Sequence, residues 1–183
     1  MAVLGAGTMG HGIAQTAAAA GLEVRLYDIS ADAADAGKKK VLGAWGRLVE
    51  KGKLSSDQAA AATARLSTTA DLAAATSDVD VVVEAAPERM DLKVELLLRA
   101  KASAKGDALL ASNTSSLSIT ELARSIGAED RCLGLHFFNP VPVMELLEIV
   151  RGIATPEDTV LRAERLAKTL GKTSILVRDF PGF

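Results

Sequence analysis

The sequence predicts an α/β protein: a doubly wound, mainly parallel sheet with an inserted helical pair. Three observations carry this. Short apolar runs alternate with longer amphipathic stretches, as in successive βαβ units. The run Val79-Asp80-Val81-Val82-Val83 is rich in β-branched residues, the composition of a buried strand. A glycine-rich turn separates the first apolar run from the first helical stretch.

The expected strands, in order, are Ala2–Leu4, Val24–Tyr27, Val79–Val83, Ala108–Ala111, Leu133–Leu135, Leu146–Val150 and Ser174–Val177. Gly10 to Ala20 reads as the first helix, with Gly21 as the left-handed residue that stops it. Between Asp28 and Leu66 the alternation lapses. Ala31–Glu50 and Ser56–Arg65 read as two helices joined by Lys51-Gly52-Lys53-Leu54-Ser55, a helical insertion at about 31–65. Leu92–Ala104 and Ser118–Ile126 read as helices between strands. Thr155-Pro156-Glu157-Asp158 reads as an N-cap, a proline at the first helical position and an acidic first turn. That helix is expected to run to Leu170, with Gly171 closing it.

The chain has 183 residues, enough for one full domain with a sizeable core. With 49% hydrophobic and 24% charged residues it is not a disordered chain. A net charge of −2 and 3% aromatic residues argue against nonspecific binding or base stacking, so no nucleic-acid partner is expected. The single cysteine, Cys132, rules out an internal disulfide and a multi-cysteine metal site, and no metal is expected. No run approaches the ~18 apolar residues of a membrane span. The alanine-rich start, Met1 to Gly21, lacks the basic residues that open a signal peptide. The expectation is a soluble, cytoplasmic protein with no membrane partner. Both ends are abrupt, so residues 1–183 are expected to be one domain of something longer.

Gly5-Ala6-Gly7-Thr8-Met9-Gly10 fits the G-x-G-x-x-G pattern of a dinucleotide site. Gly5 allows the tight turn, Gly7 lets the backbone approach a pyrophosphate, and Gly10 lets the helix pack close to the sheet. The helix N-terminus offers amide N–H groups and partial positive charge to the phosphates. The second strand ends in Asp28, 18 residues after Gly10, close to the ~20 expected for the carboxylate that binds ribose hydroxyls. Asp28 would repel a 2′-phosphate, so NAD is expected rather than NADP. The expected fold is therefore Rossmann-like.

Gly134-Leu135-His136-Phe137-Phe138-Asn139-Pro140 forms a second constellation, with Glu148 twelve residues after His136. His136 is expected just past a strand, where ligands sit in doubly wound sheets. Glu148 lies in an apolar run, where a charge needs a partner. A histidine paired with a carboxylate serves as a general base, although the spacing alone fits a structural histidine equally well. The third constellation, Ser112-Asn113-Thr114-Ser115-Ser116, follows a strand. These small polar residues can bond a substrate or cap the next helix, and residue type alone favours the cap.

Taken together, these motifs resemble the NAD-binding domain of the 3-hydroxyacyl-CoA dehydrogenase family, over the whole chain. The resemblance rests on the glycine turn, Glu84-Ala85-Ala86-Pro87-Glu88, the Ser112–Ser116 and His136–Pro140 motifs, and Pro181-Gly182-Phe183. It implies His136 and Glu148 as the catalytic pair, and Ser115 and Asn139 as substrate and nicotinamide contacts. It implies Gly5, Gly7, Thr8, Met9, Gly10, Asp28, Glu88 and Lys93 at the cofactor. It places the CoA moiety on the helical pair at Lys51, although Ala44 stands where some members carry serine. It also implies a second, helical domain after Phe183, which bears an active-site asparagine and most of a homodimer contact. The reaction expected is NAD-dependent oxidation of an L-3-hydroxyacyl-CoA in fatty-acid β-oxidation, with a 3-hydroxybutyryl-CoA-like or 3-hydroxyadipyl-CoA-like substrate. The 3-hydroxyisobutyrate type of dehydrogenase also begins with such a glycine turn, but the His136/Asn139/Glu148 set argues against it.

Overall fold

The computed structural model describes residues 1–180 and Gly182; the Pro181-Gly182-Phe183 motif therefore lies largely outside the described residues. Among these residues, eight strands form one sheet: β1 (Ala2–Leu4), β2 (Val24–Tyr27), β3 (Leu66–Thr69), β4 (Val81–Glu84), β5 (Leu109–Ser112), β6 (Cys132–Phe137), β7 (Leu146–Arg151) and β8 (Thr173–Arg178). Their order is β3-β2-β1-β4-β5-β6-β7-β8. All pairs are parallel except β6 with β7. The chain winds outward from β1 to β3 and then returns to β4. The strand order thus reverses between β1 and β4, where a doubly wound sheet opens its crevice.

Among the described residues, seven helices connect the strands: α1 (Thr8–Ala19), α2 (Ala31–Glu50), α3 (Ser56–Ala64), α4 (Leu72–Thr76), α5 (Met90–Ser103), α6 (Ile119–Ile126) and α7 (Glu157–Thr169). The two-residue period of the strands sorts the core into two layers. Val3, Val83 and Leu109 face a layer with Ile13 and Ala17 of α1 and Val41 and Trp45 of α2. Ala2, Leu4, Val82 and Leu110 face the other, with Leu97 of α5 and Leu122 of α6. No helix of the described residues is long and apolar enough to cross a membrane.

The helical pair lies where expected. Ser30 caps α2 by accepting from the Ala33 amide, and Ser55 with Gln58 forms a reciprocal capping box at α3. The sheet resumes directly after the pair in β3, a strand the sequence reading missed. Its Leu-Ser-Thr-Thr sequence has no apolar run because it is an edge strand with one fully buried side chain. Short α4, capped by Asp71, was missed with it.

Several boundaries move. The strand expected at Val79 begins at Val81, because Asp78 takes a left-handed turn and Asp80 reaches out to Lys105. The strand expected at 108–111 runs from Leu109 to Ser112. Helix α1 starts at Thr8 rather than Gly10. Thr155 is not the N-cap of α7: Pro156 takes that position, and the Thr155 hydroxyl donates to the Cys132 carbonyl instead. The segment at 112–116 does not cap α6 either. Ser118 does so through its hydroxyl, assisted by Asp179, whose carboxylate accepts from the Ile119 and Thr120 amides.

Candidate active site

The site begins at the glycine turn. Gly5 has φ +103°, outside the range of ordinary side chains, and its amide donates to the Tyr27 carbonyl. A Cβ on Gly10 would collide with the Gly5 carbonyl oxygen, so α1 is pressed directly onto the turn. At Gly7 a Cβ would meet nothing within 4 Å, which leaves the backbone open to approach. Gly7 puts no side-chain cap on α1, and the first turn holds no acid, so the helix N-terminus favours an anion. One oxygen of Asp28 accepts from the Ala6 amide at 2.7 Å and the other from the Ile29 amide at 2.8 Å. The carboxylate is thereby fixed at the rim of a cavity of about 690 Å³ that also holds Gly5, Gly7, Thr8 and Met9. These residues fit a dinucleotide: open backbone for the pyrophosphate and a fixed acceptor for ribose hydroxyls.

A second cavity, about 370 Å³, shares Met9, Ala85 and Ala86 with the first. Its other walls include Glu88, Asn113, Ser115, His136 and Asn139. Strand β6 runs through Phe137, so His136 lies within the strand, not past its end as the sequence suggested. Across the antiparallel pair it stands opposite Glu148. His136 Nδ1 lies 2.7 Å from Glu148 Oε2, with each side chain 17% exposed. A carboxylate only accepts, so Nδ1 carries the proton and proton transfer falls to Nε2. The Phe138 ring flanks the imidazole at 4.5 Å.

The turn at 112–116 is tied down by Glu88. Its Oε1 accepts from the Ser115 amide at 2.9 Å and from the Thr114 hydroxyl. Burial works against ionisation of Glu88, but the Thr114 and Ser115 bonds and the Lys93 charge outweigh it and hold the carboxyl below its ordinary value. Lys93 was expected at the cofactor. The fold puts its ammonium beneath the site, 1% exposed, between Glu84 at 2.8 Å and Glu88 at 3.3 Å. It lines neither of these two cavities.

A third cavity, about 380 Å³, carries Lys51 and Arg47 of the helical pair. It shares Thr8 with the first cavity and Asn139 with the second, so all three meet at the head of α1. The loop bearing Asn139 is held by Lys172, whose ammonium donates to the Val141 and Met144 carbonyls at 2.6 and 2.7 Å.

Three residues received no role of their own from the sequence, although Asn113 and Glu84 lie in motifs it singled out. Asn113 accepts from the Phe137 amide at 2.9 Å and fixes the end of β6. Glu84 is a fully buried carboxylate at the end of β4. Lys172 pins the Asn139 loop. For Glu84 a signal existed: an acid ending an apolar strand, nine residues before a lysine in the next helix. Nothing in the sequence marks Lys172.

Fold and site together define a Rossmann-like dinucleotide-binding domain, with a histidine–carboxylate pair beside the dinucleotide cleft. The chain belongs to the 3-hydroxyacyl-CoA dehydrogenase, NAD binding domain family, whose pattern matches residues 1–180. It is 40% identical to a 3-hydroxybutyryl-CoA dehydrogenase of Bradyrhizobium diazoefficiens over 99% of this chain and 61% of that protein. It is 40% identical to a 3-hydroxyadipyl-CoA dehydrogenase of Escherichia coli, across all of this chain and 38% of that one. The crystal structure of (S)-3-hydroxybutyryl-CoA dehydrogenase from Ralstonia eutropha superposes with a TM-score of 0.95 at 44% identity, over 100% of this chain and 64% of that one. The chain therefore spans less than two thirds of the length of these relatives.

Proposed function

We propose that the protein oxidises the 3-hydroxyl of an L-3-hydroxyacyl-CoA to a 3-oxo group with NAD, as in fatty-acid β-oxidation, with a 3-hydroxybutyryl-CoA-like substrate. The observation that carries this reading is the His136–Glu148 pair in a cavity that shares a wall with the dinucleotide cleft. Bound NAD supplies the hydride acceptor for the substrate's C3. His136 Nε2 takes the hydroxyl proton, and Glu148 orients the ring and stabilises the imidazolium that forms. In reverse, Ser115 and Asn139 hold the 3-oxo oxygen while His136 returns the proton. Asp28 and the glycine turn hold the dinucleotide. Lys51, in the adjoining cavity, holds the anionic CoA moiety. Glu88 orders the turn that bears Ser115, and Lys93 supports Glu88 from below.

In this reading the facing wall of the acyl site, and the contacts of a homodimer, come from a helical domain beyond these residues. The greater length of the relatives supports that. A cytoplasmic setting fits a single buried, unpaired cysteine. The test is NADH oxidation by the full-length protein against acetoacetyl-CoA, longer 3-oxoacyl-CoAs and 3-oxoadipyl-CoA. Highest kcat/KM with acetoacetyl-CoA supports the reading. Activity confined to 3-oxoadipyl-CoA transfers it to the dicarboxylic substrate, and no turnover with any of them overturns it.

A further inference from the structure

We propose that Glu84 is a positioning residue for the substrate-side turn, acting through Lys93 and Ser112 to hold Ser115 in place. Glu84 is 0% exposed and Lys93 1%, so neither carboxylate nor ammonium meets solvent. Such a pair is weak support for stability, because well-packed apolar residues in its place are often as stable. Its location points to another role. Glu84 ends β4 beside the crevice, directly beneath the turn that lines the His136 cavity.

The bonds run in two routes from one carboxylate. Glu84 Oε1 and Oε2 accept from Lys93 Nζ at 2.8 and 3.0 Å. Oε2 also accepts from the Ser112 hydroxyl at 2.6 Å, and Oε1 from the Ala86 amide. In the first route, Lys93 Nζ also donates to the Ala86 carbonyl at 3.1 Å and forms an ion pair with Glu88 Oε2 at 3.3 Å. Glu88 is only partly covered, with its side chain 39% exposed, and Lys93 holds its inner oxygen, Oε2. Its other oxygen then receives the Ser115 amide. In the second route, the Ser112 hydroxyl that donates to Glu84 accepts from the Thr114 amide at 3.3 Å. Both routes end on the turn that presents Ser115. Glu84 lines none of the three cavities described above, so it acts through these neighbours.

Removing both buried charges together, as Glu84→Gln with Lys93→Met, leaves no orphaned ion but cuts the anchor of Glu88. A merely structural pair predicts that a variant of restored stability recovers its activity. A positioning role predicts that stability and activity separate. The inference about activity rests on the proposed reaction; the turn itself is read without substrate, by amide hydrogen exchange. In the full-length double variant, exchange across residues 113–117 should rise by about tenfold or more, while α6 keeps its protection. The thermal midpoint should stay within about 5 °C of the parent. At saturating NADH, kcat/KM for acetoacetyl-CoA should fall by about tenfold or more. Unchanged exchange in the turn overturns the proposal, as does full kcat/KM in a folded double variant. If that variant does not fold, Ser112→Ala decides: faster exchange at Thr114 and Ser115 supports the anchor, and parental exchange overturns it. A parent protein inactive on every 3-oxoacyl-CoA would overturn the proposed reaction alone, and the exchange result would still judge the anchor.

Discussion

His136 and Glu148 are register partners across β6 and β7, the antiparallel pair in an otherwise parallel sheet. Residues directly opposed on neighbouring strands project from the same face, with Cβ atoms about 5 Å apart. That places the imidazole Nδ1 2.7 Å from the carboxylate with neither backbone displaced. The reversal of chain direction thus builds the pair, and rigid strands rather than loops hold both members.

His136→Gln should lower kcat by about 10²–10⁴, the usual weight of a positioned acid–base group, with little change in NADH affinity. Glu148→Gln should lower kcat as well, because the imidazolium that forms loses the carboxylate charge that stabilises it. Steady-state kinetics with separate NADH titrations checks both. Near-parental turnover by the His136 variant would remove it from the chemistry.

Asp28→Ala should weaken NADH binding by about tenfold or more, since each hydrogen bond to a charged group is worth roughly 1.5–3 kcal/mol. Calorimetry reads this directly. The substitution also removes the acceptor of the Ala6 amide at 2.7 Å, so the glycine turn should loosen with it. Unchanged affinity would take Asp28 out of the cleft.

Gly10→Ala should destabilise the fold by about 3 kcal/mol or more, because the new methyl meets backbone that cannot yield. Gly7→Ala meets open space and should keep the fold while weakening NADH binding. Thermal melting and NADH titration of the two variants separate packing from cofactor approach.

Acid should destabilise the protein through Glu88 and Asp179. At Asp179 burial raises the pKa, but bonds from Thr120, Ile119 and Ser118 prevail and hold it below its ordinary value. A carboxyl depressed in the fold gives its full stabilisation above the ordinary values, 4.5 for glutamate and 3.8 for aspartate. That stabilisation is lost as pH falls through the lower native values. Melting curves between pH 7 and pH 3 should show it, with a shallower acid decline in Glu88→Gln and Asp179→Asn. An unchanged decline in both variants would locate the acid sensitivity elsewhere.

Cys132 is fully buried in β6, and burial pushes its thiol up to about 12. The reactive thiolate is therefore scarce, and labelling by a thiol reagent at pH 8 should be slow in the folded protein and fast in denaturant. Rapid labelling of the native protein would contradict that burial.

The glycine turn, Asp28 and the helical pair were legible because each depends on local chemistry. A tight turn needs Gly5, a helix end needs Gly21, and two stretches rich in good helix formers read as helices whatever they pack against. Strand β3 was not legible: an edge strand buries little, so its Ser and Thr carry no apolar signature. The segment at 112–116 misled for a related reason. Its residue types suit a cap, but the partner they found is Glu88, remote in sequence.

By itself, the sequence determined the class of fold, the dinucleotide turn and the residue types available for acid–base work, since these rest on periodicity and on contacts within a few residues. Tertiary structure decided which of those residues meet. The antiparallel return of β7 set Glu148 on His136, the burial of Lys93 joined Glu84 to Glu88, and the head of α1 brought three cavities together. The physical reason is that a hydrogen bond or ion pair acts over a few ångströms of space. Only the packed sheet converts a separation of 12 or 27 residues into such a distance.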